Sequence, residues 1–409
     1  MNIGISTSVI QRGKSGVAQY VFSLLRHLLP FAGEHRFTLF VLEKDWSLFD
    51  FVEGRMERVK VSERFRGPLR NILWHQCVLP RLVRAHQLDV LHVPSYRRML
   101  LLQPCALVAT IHDLAPFHVR KKYDSLRMFY GRVVARRLAQ RQHRIIAVSR
   151  HTAEDIKLRF EIPEDRLTVV YNGVDHARFC TGSLEEAKAH VIKRRGIRQP
   201  FFFYVARLEH PGKSHVNLVE AFNRFKSKSG SGWRLVLAGP DWDGAEVIHA
   251  AIRKSAFAAH IQVLGFVPEP ELPLWYRAAD AFVYPSLFEG FGLPPLEAMA
   301  CGCAVATSKR GALPEVVGEA AAILDADDPV SLELQLMRLA TDATFREQLQ
   351  ISGLSRAMTF DWRRTAAATL EVYAKAVRFR SSEAGSGERQ REAAAAPFEH
   401  ALPMDRGGR

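Results

Sequence analysis

Two carboxylates, Glu289 and Glu297, flank a glycine-rich turn in the segment YPSLFEGFGLPPLEAMACGCAV (284–305). Gly290 and Gly292 let the backbone approach a ligand closely. After Leu293, Pro294 and Pro295 open a helix whose amino end offers free N–H groups to phosphate. A carboxylate among anion-binding amides is costly unless it faces hydroxyl groups, and sugars supply many. The alternative is that Glu297, read in the first turn of that helix, only complements its dipole.

A second constellation lies in YVARLEHPGKSHVNLVEAF (204–222). Arg207 ends a strand pattern and Lys213 opens the following helix pattern, so both can converge on a diphosphate. Cationic donors there stabilise a departing nucleoside diphosphate and can replace a metal. They read alternatively as exposed basic residues on a loop. In GKSGVAQYVFSLLRHL (13–28), a Gly-x-x-Gly spacing precedes the first helix. That spacing is weak evidence alone; Gly16 either meets a ligand or permits a tight turn. His112 and Asp113 follow the strand ALVATI, which puts them at a cleft edge, with Asp113 also suited to cap the next segment. Asp241-Trp242-Asp243 has the Asp-x-Asp form of a divalent-metal site, yet its place after LVLAG reads more simply as a polar turn.

The elements that must hold these residues alternate. RFTLFVL (36–42), LDVLHVP (88–94), ALVATIHDL (106–114), RIIAVS (144–149) and LTVVYNGV (167–174) read as buried parallel strands with amphipathic helices between them. A second series follows in FFFYVARL (201–208), WRLVLAG (233–239), IQVLGFV (261–267), AFVYPS (281–286) and CAVATS (303–308). The polar stretch 178–198 separates the two. The expected fold class is α/β: two doubly wound Rossmann-like domains, 1–178 and 195–360, facing a cleft, with ligands at the carboxyl ends of the strands. Helices are expected at 331–349 and 361–379, the latter packing back towards the first domain. Residues 380–409 read as a disordered tail.

The 409 residues are enough for two cores, and 47% hydrophobic content with 24% charge is globular. No apolar run suits a membrane span, and MNIGISTSVI reads as a first strand rather than a signal peptide. The five cysteines include no CxxC pair, which argues against zinc and against a disulfide framework and favours the cytoplasm. Residues 1–178 hold 29 Lys+Arg and 16 Asp+Glu, a balance of +13 within the chain's +14. The first half therefore expects an anionic partner. The stretch 118–144 carries nine Lys+Arg against Asp124, interleaved with apolar residues. It reads either as an ordinary packed helix or as a contact with anionic lipid.

The 284–305 segment resembles the EX7E motif of glycosyltransferase family 4, retaining enzymes of the GT-B fold, and the resemblance extends over nearly all of 1–378. It implies that Glu289 contacts the transferred sugar and Glu297 the ribose hydroxyls. The amides of Gly290, Phe291 and Gly292 would hold sugar hydroxyls and phosphate. Arg207 and Lys213 match the family's basic pair, although Ala206 replaces a common glycine and the Arg–Lys gap is longer. Gly16 matches the loop near the donor phosphates, His112 a histidine on the donor sugar, and Phe266 and Val267 the backbone that reads the nucleobase. NGVD (172–175) matches a turn leading to the interdomain connection.

The resemblance thus implies a hexosyltransferase using a nucleotide sugar and no metal. Similarity around YNGVD and EHPGKSHV to bacterial polysaccharide mannosyltransferases makes GDP-mannose the first expected donor. A glycan or polyprenyl-diphosphate-linked acceptor, peripheral attachment to the anionic inner-membrane surface on its cytoplasmic side, and no nucleic-acid partner complete the expectation. A nucleotide-sugar 2-epimerase of the same fold and a non-catalytic basic binding module are the alternatives. A nicotinamide oxidoreductase fits poorly, because the first strand lacks G-x-G-x-x-G.

Overall fold

The computed structural model describes residues 1–13, 15–118 and 130–395. In the first half, strands β1 (Asn2–Ser6), β2 (Arg36–Leu42), β3 (Glu57–Val61), β4 (Val90–Val93), β5 (Ala106–Ile111), β6 (Arg144–Ala147) and β7 (Leu167–Val169) form one parallel sheet. Its order is β3-β2-β1-β4-β5-β6-β7. In the second half, β8 (Phe201–Val205), β9 (Arg234–Ala238), β10 (Ile261–Gly265), β11 (Ala281–Tyr284), β12 (Val305–Ser308) and β13 (Ala322–Leu324) form another. Its order is β10-β9-β8-β11-β12-β13. Both orders reverse beside their first strand, between β1 and β4 and between β8 and β11, and such reversals open a crevice for ligands at the strand carboxyl ends.

The strands are almost continuous apolar runs because helices cover both faces. In β5 all six residues are buried. Helix α1 (Gly16–Leu28) covers the first sheet and starts at Ser15, whose hydroxyl accepts the Ala18 N–H at 3.2 Å. Helix α2 (Arg150–Phe160) starts likewise at Ser149, capping Thr152. The weakly patterned β3 and β13 escape a reading based on apolar runs, since β3 is mostly half-exposed ERVKV and β13 is three residues long.

The polar stretch 178–198 contains a helix, α3 (Leu184–Arg195), between the Ser183 cap and Gly196 at φ +68°. Only Ala187 and Val191 of α3 are buried, and they join the core of the second domain. The helix expected at 331–349 is two helices, Pro329–Thr341 and Ala343–Ala357. Asp342 leaves the helical conformation between them and caps the second through the Phe345 N–H at 2.8 Å.

The carboxyl-terminal helix α6 returns to the first domain. It runs Trp362–Ala395, so helical structure continues past residue 380, where a disordered tail was expected. The alanine, glutamate, arginine and glutamine of this stretch are strong helix formers, which the reading from low hydrophobicity undervalued. The rest of the expected tail, 396–409, lies outside the described residues. Trp362, Ala366, Leu370, Val372, Tyr373 and Ala376 belong to the first domain's core. Tyr373 bonds His92 Nδ1 at 2.8 Å, and His92 Nε2 contacts the Thr110 hydroxyl at 2.8 Å, a buried polar thread into the first sheet. The chain thus crosses between domains twice. The crossings touch: Val174 pairs with Asp361, and a Cβ on Gly173 would meet the Trp362 nitrogen at 2.1 Å.

Candidate functional site

The loop after β11 is stitched to the loop after β8 before it reaches Glu289. Leu287 N–H donates to the Gly212 carbonyl at 3.0 Å, and the Ser286 hydroxyl reaches the same oxygen at 3.5 Å. The Glu289 carboxylate then accepts the Lys213 ammonium and, at 2.8 Å, the Tyr284 hydroxyl. Burial would raise this carboxyl group. The Lys213 charge and hydrogen bonds from Lys213, Ser286 and Tyr284 outweigh burial and hold it below its ordinary value. Glu289 is therefore an ionised acceptor at neutral pH, fixed from β11 and from the loop after β8.

The next residue reaches across to the first domain. A Cβ on Gly290 would lie 1.7 Å from the His112 carbonyl oxygen. The Gly290 carbonyl accepts the Ser149 and Thr152 hydroxyls at 2.8 and 3.1 Å. Phe291 is buried against Tyr171 and Phe360, with ring centroids 6.3 and 5.8 Å away. Gly292, at φ +110°, turns the chain into α5 (Leu293–Ala300), a backbone conformation that side chains rarely adopt, and a Cβ there would press on Leu313 Cδ2 at 2.6 Å. The N–H groups of Phe291, Gly292 and Leu293 find no acceptor among the described residues. They form an open helix amino end of the kind that takes an anion.

Glu297 is the fifth residue of α5, just past the first turn where sequence reading put it. The dipole effect is confined to the last turn at each end, so complementing it does not account for this residue. Its carboxylate accepts the Tyr276 hydroxyl at 3.1 Å and lines a cleft shared by both domains, with Gln19, Asp175, Arg178 and Trp362. Burial pushes its pKa up to about 7, opposed by Arg178 and reinforced by Glu269 and Asp175.

The two basic residues take different partners. Lys213, largely buried, pairs with Glu289 and lies two residues before helix α4 (His215–Ser229) rather than opening it, because Ser214 at φ +52° intervenes. Arg207 stays half-exposed, donates to Glu209 at 3.1 Å and lies over the Trp242 ring at 4.5 Å. In the Asp-x-Asp segment, Asp241 pairs with His249 at 2.9 Å and Trp242 supports Arg207.

Gly16 is the first residue of α1, and a Cβ there would meet nothing within 4 Å. Positive φ belongs to Gly13, at +79°, so the turn makes no such demand on Gly16. His112 directly follows β5, with Nε2 3.3 Å from the Pro94 carbonyl and its ring edge-on to Tyr20 at 4.7 Å. Burial lowers its pKa to about 4, which leaves it neutral near pH 7. Asp113 accepts the Ala115 N–H at 2.9 Å, the capping role expected of it. Phe266 is exposed just after β10, and Val267 packs on the second core.

Sequence reading missed the residues that clamp the domains. Glu315 accepts the Arg150 and His151 N–H groups at 2.8 and 3.0 Å and the Tyr171 hydroxyl at 2.7 Å. A lone glutamate in ALPEVV carries no local signal of this. The Ser149-x-x-Thr152 cap does, but its second use, holding Gly290, is tertiary.

Two doubly wound domains with carboxylates, an ammonium and an open helix end at the switch point of the second sheet define a GT-B glycosyltransferase. Residues 14–178 match the family described as Glycosyltransferase Family 4, and residues 187–355 that described as Glycosyl transferases group 1. The chain belongs to this family of glycosyltransferases. It is 29% identical over 267 residues to the O-antigen chain mannosyltransferase B of Escherichia coli, covering 65% of this chain and 69% of the relative. It is 33% identical over 247 residues to a D-inositol 3-phosphate glycosyltransferase of Salinispora tropica, covering 57% of this chain and about half (51%) of that protein. In fold it is similar to Anabaena HepE, solved with UDP and glucose: TM-score 0.72 at 19% identity, over 91% of this chain and 99% of that one.

Proposed function

We propose that the enzyme transfers mannose from GDP-mannose, with retention of configuration and without a metal, to a glycan or lipid-linked oligosaccharide acceptor. The observation that carries the transfer chemistry is the Lys213–Glu289–Tyr284 cluster beside the open amino end of α5. Glu289, already bound to an ammonium and a phenol, suits the acceptance of sugar hydroxyls better than attack on carbon. The C1–O bond of the donor breaks with its electron pair passing to the β-phosphate oxygen. The acceptor hydroxyl oxygen bonds to C1 on the same face, and its proton passes to the departing phosphate. Lys213, Arg207 and the amides of Gly290–Leu293 neutralise that phosphate. Glu297 holds the ribose, Phe266 and Val267 border the base, and His112 and Gly16 meet the donor from the first domain. The mannose assignment is supported by the similarity to the O-antigen mannosyltransferase.

The acceptor is proposed to lie on an anionic membrane face, met by the basic first domain. No helix among the described residues is long and apolar enough to cross a membrane. Residues 119–129, which hold four of the basic side chains at issue, lie outside the described residues. Nearby, Ala135 and Leu138 are buried and Arg136 pairs with Glu161, so this part of the stretch packs as an ordinary helix.

The test is thermal stabilisation by a panel of nucleoside diphosphates and their sugars, followed by transfer assays with and without chelator. A ligand at 100 times its Kd adds about 2.7 kcal/mol. GDP and GDP-mannose should stabilise and UDP should not. Preference for UDP would discard mannose, and donor conversion without any acceptor would point to an epimerase.

A further inference from the structure

Phe288, the residue before Glu289, lies against a cluster that the transfer chemistry does not use. The His118 ring stacks on Phe288 at 4.3 Å and 12°, and the His151 ring lies 5.8 Å away. His118 ends the short helix Ala115–His118, while His151 and Asp155 stand four apart on one face of α2. One ligand atom from each of the three falls within 4.8 Å of the others. His118 Nε2 is 2.6 Å from Asp155 Oδ2, and His151 Nε2 is 3.7 Å from the same oxygen. A histidine–aspartate pair accounts for the first contact only. His151 Nε2 is shielded from solvent and makes no hydrogen bond, although it points at a buried carboxylate.

The geometry points to a divalent transition-metal site formed by His118, His151 and Asp155. Zinc-type ions bind imidazole nitrogen and carboxylate oxygen at about 2.0–2.2 Å, which spaces ligand atoms roughly 3.3 Å apart in a tetrahedron. The 2.6 Å contact widens and the 3.7 Å contact closes by less than about 1 Å each, within reach of side-chain rotation. As the ion takes His118 Nε2, the ring carries its hydrogen on Nδ1 and the His118–Asp155 hydrogen bond is replaced by two bonds to the metal. Two imidazoles select zinc, cobalt or nickel over magnesium and calcium. Three protein ligands leave the fourth position to water. The ion joins α2 to the Ala115–His118 turn beneath Phe288, at the boundary between the domains. Its role is to brace that boundary, outside the transfer step.

The untagged full-length chain, stripped with chelator, is titrated with Co2+ while its visible ligand-field bands are followed, and Zn2+ is then used to displace it. One ion per chain is expected. His118→Ala and His151→Ala should each weaken binding at least about tenfold. Cys77→Ser and His249→Ala, which remove an exposed thiol and a separate histidine–aspartate pair, should leave it unchanged. His118→Gln and His151→Gln repeat the test where an alanine variant does not fold. Absence of Co2+ binding, binding retained in both histidine variants, or loss in His249→Ala would overturn the site. The readout is metal binding, so failure of the proposed sugar transfer leaves this test intact.

Discussion

Lys213 holds the buried Glu289 carboxylate in its ionised form. With Lys213→Met, burial, the largest single influence on Glu289, loses its main opponent and the pKa rises. The acid limb of the kcat/KM profile should then move to higher pH, along with a loss of turnover. A limb that stays in place would show that Lys213 does not keep Glu289 ionised. Glu297 behaves oppositely, because its pKa is raised in the folded protein from 4.5 to about 7. The folded state holds that proton more tightly than the unfolded chain. Stability therefore falls as pH rises from 4.5 through about 7 and then levels off. Glu297→Gln should melt above wild type at pH 8 and close to it at pH 4.5, while binding the nucleotide sugar more weakly at either pH. Equal melting temperatures at pH 8 would remove the case for a strained carboxylate.

At the scale of elements, the turn from β11 into α5 is shaped by the other domain as much as by its own strand. Gly290→Ala places a methyl group on the His112 carbonyl, so either the loop or the domain contact must shift. A displacement of about 1 Å at a reacting centre costs on the order of 100-fold in rate. We expect a loss of that size in kcat/KM with a nearly unchanged melting temperature for the second domain, measured by steady-state kinetics and calorimetry. The glycine and proline pattern of this turn was plain in the sequence, because conformational demands at Gly292 and the helix start are local. The Glu315 clamp was not, since nothing within ALPEVV reveals that α2 of the first domain begins on it.

For the whole molecule, α6 couples the domains. Trp362 packs in the first core while its neighbour Asp361 pairs with Val174 at the crossing. Trp362→Ala should cost about 3–5 kcal/mol, as deletion of a large buried aromatic does. Chemical denaturation should show the loss in the transition of the first domain, although the residue belongs to the chain's last helix. An unchanged midpoint would mean that the helix docks without contributing to that core. The same arrangement brings Gln19 of the first domain, Trp362 of this helix and Glu297 of the second domain onto one cleft.

The alternation of apolar runs and helices was enough to define two doubly wound domains, since a strand buried on both faces must be apolar throughout. The EGFGLPPLE segment likewise announced a loop, a helix start and two carboxylates, all written within a few turns of chain. Sequence alone did not give Arg207 and Lys213 different partners, raise the Glu297 pKa or bring His118 to His151 and Asp155. Those outcomes depend on charges and burial contributed by residues tens to hundreds of positions away. Periodicity records which face of an element is buried; only the packed structure determines what that face is buried against.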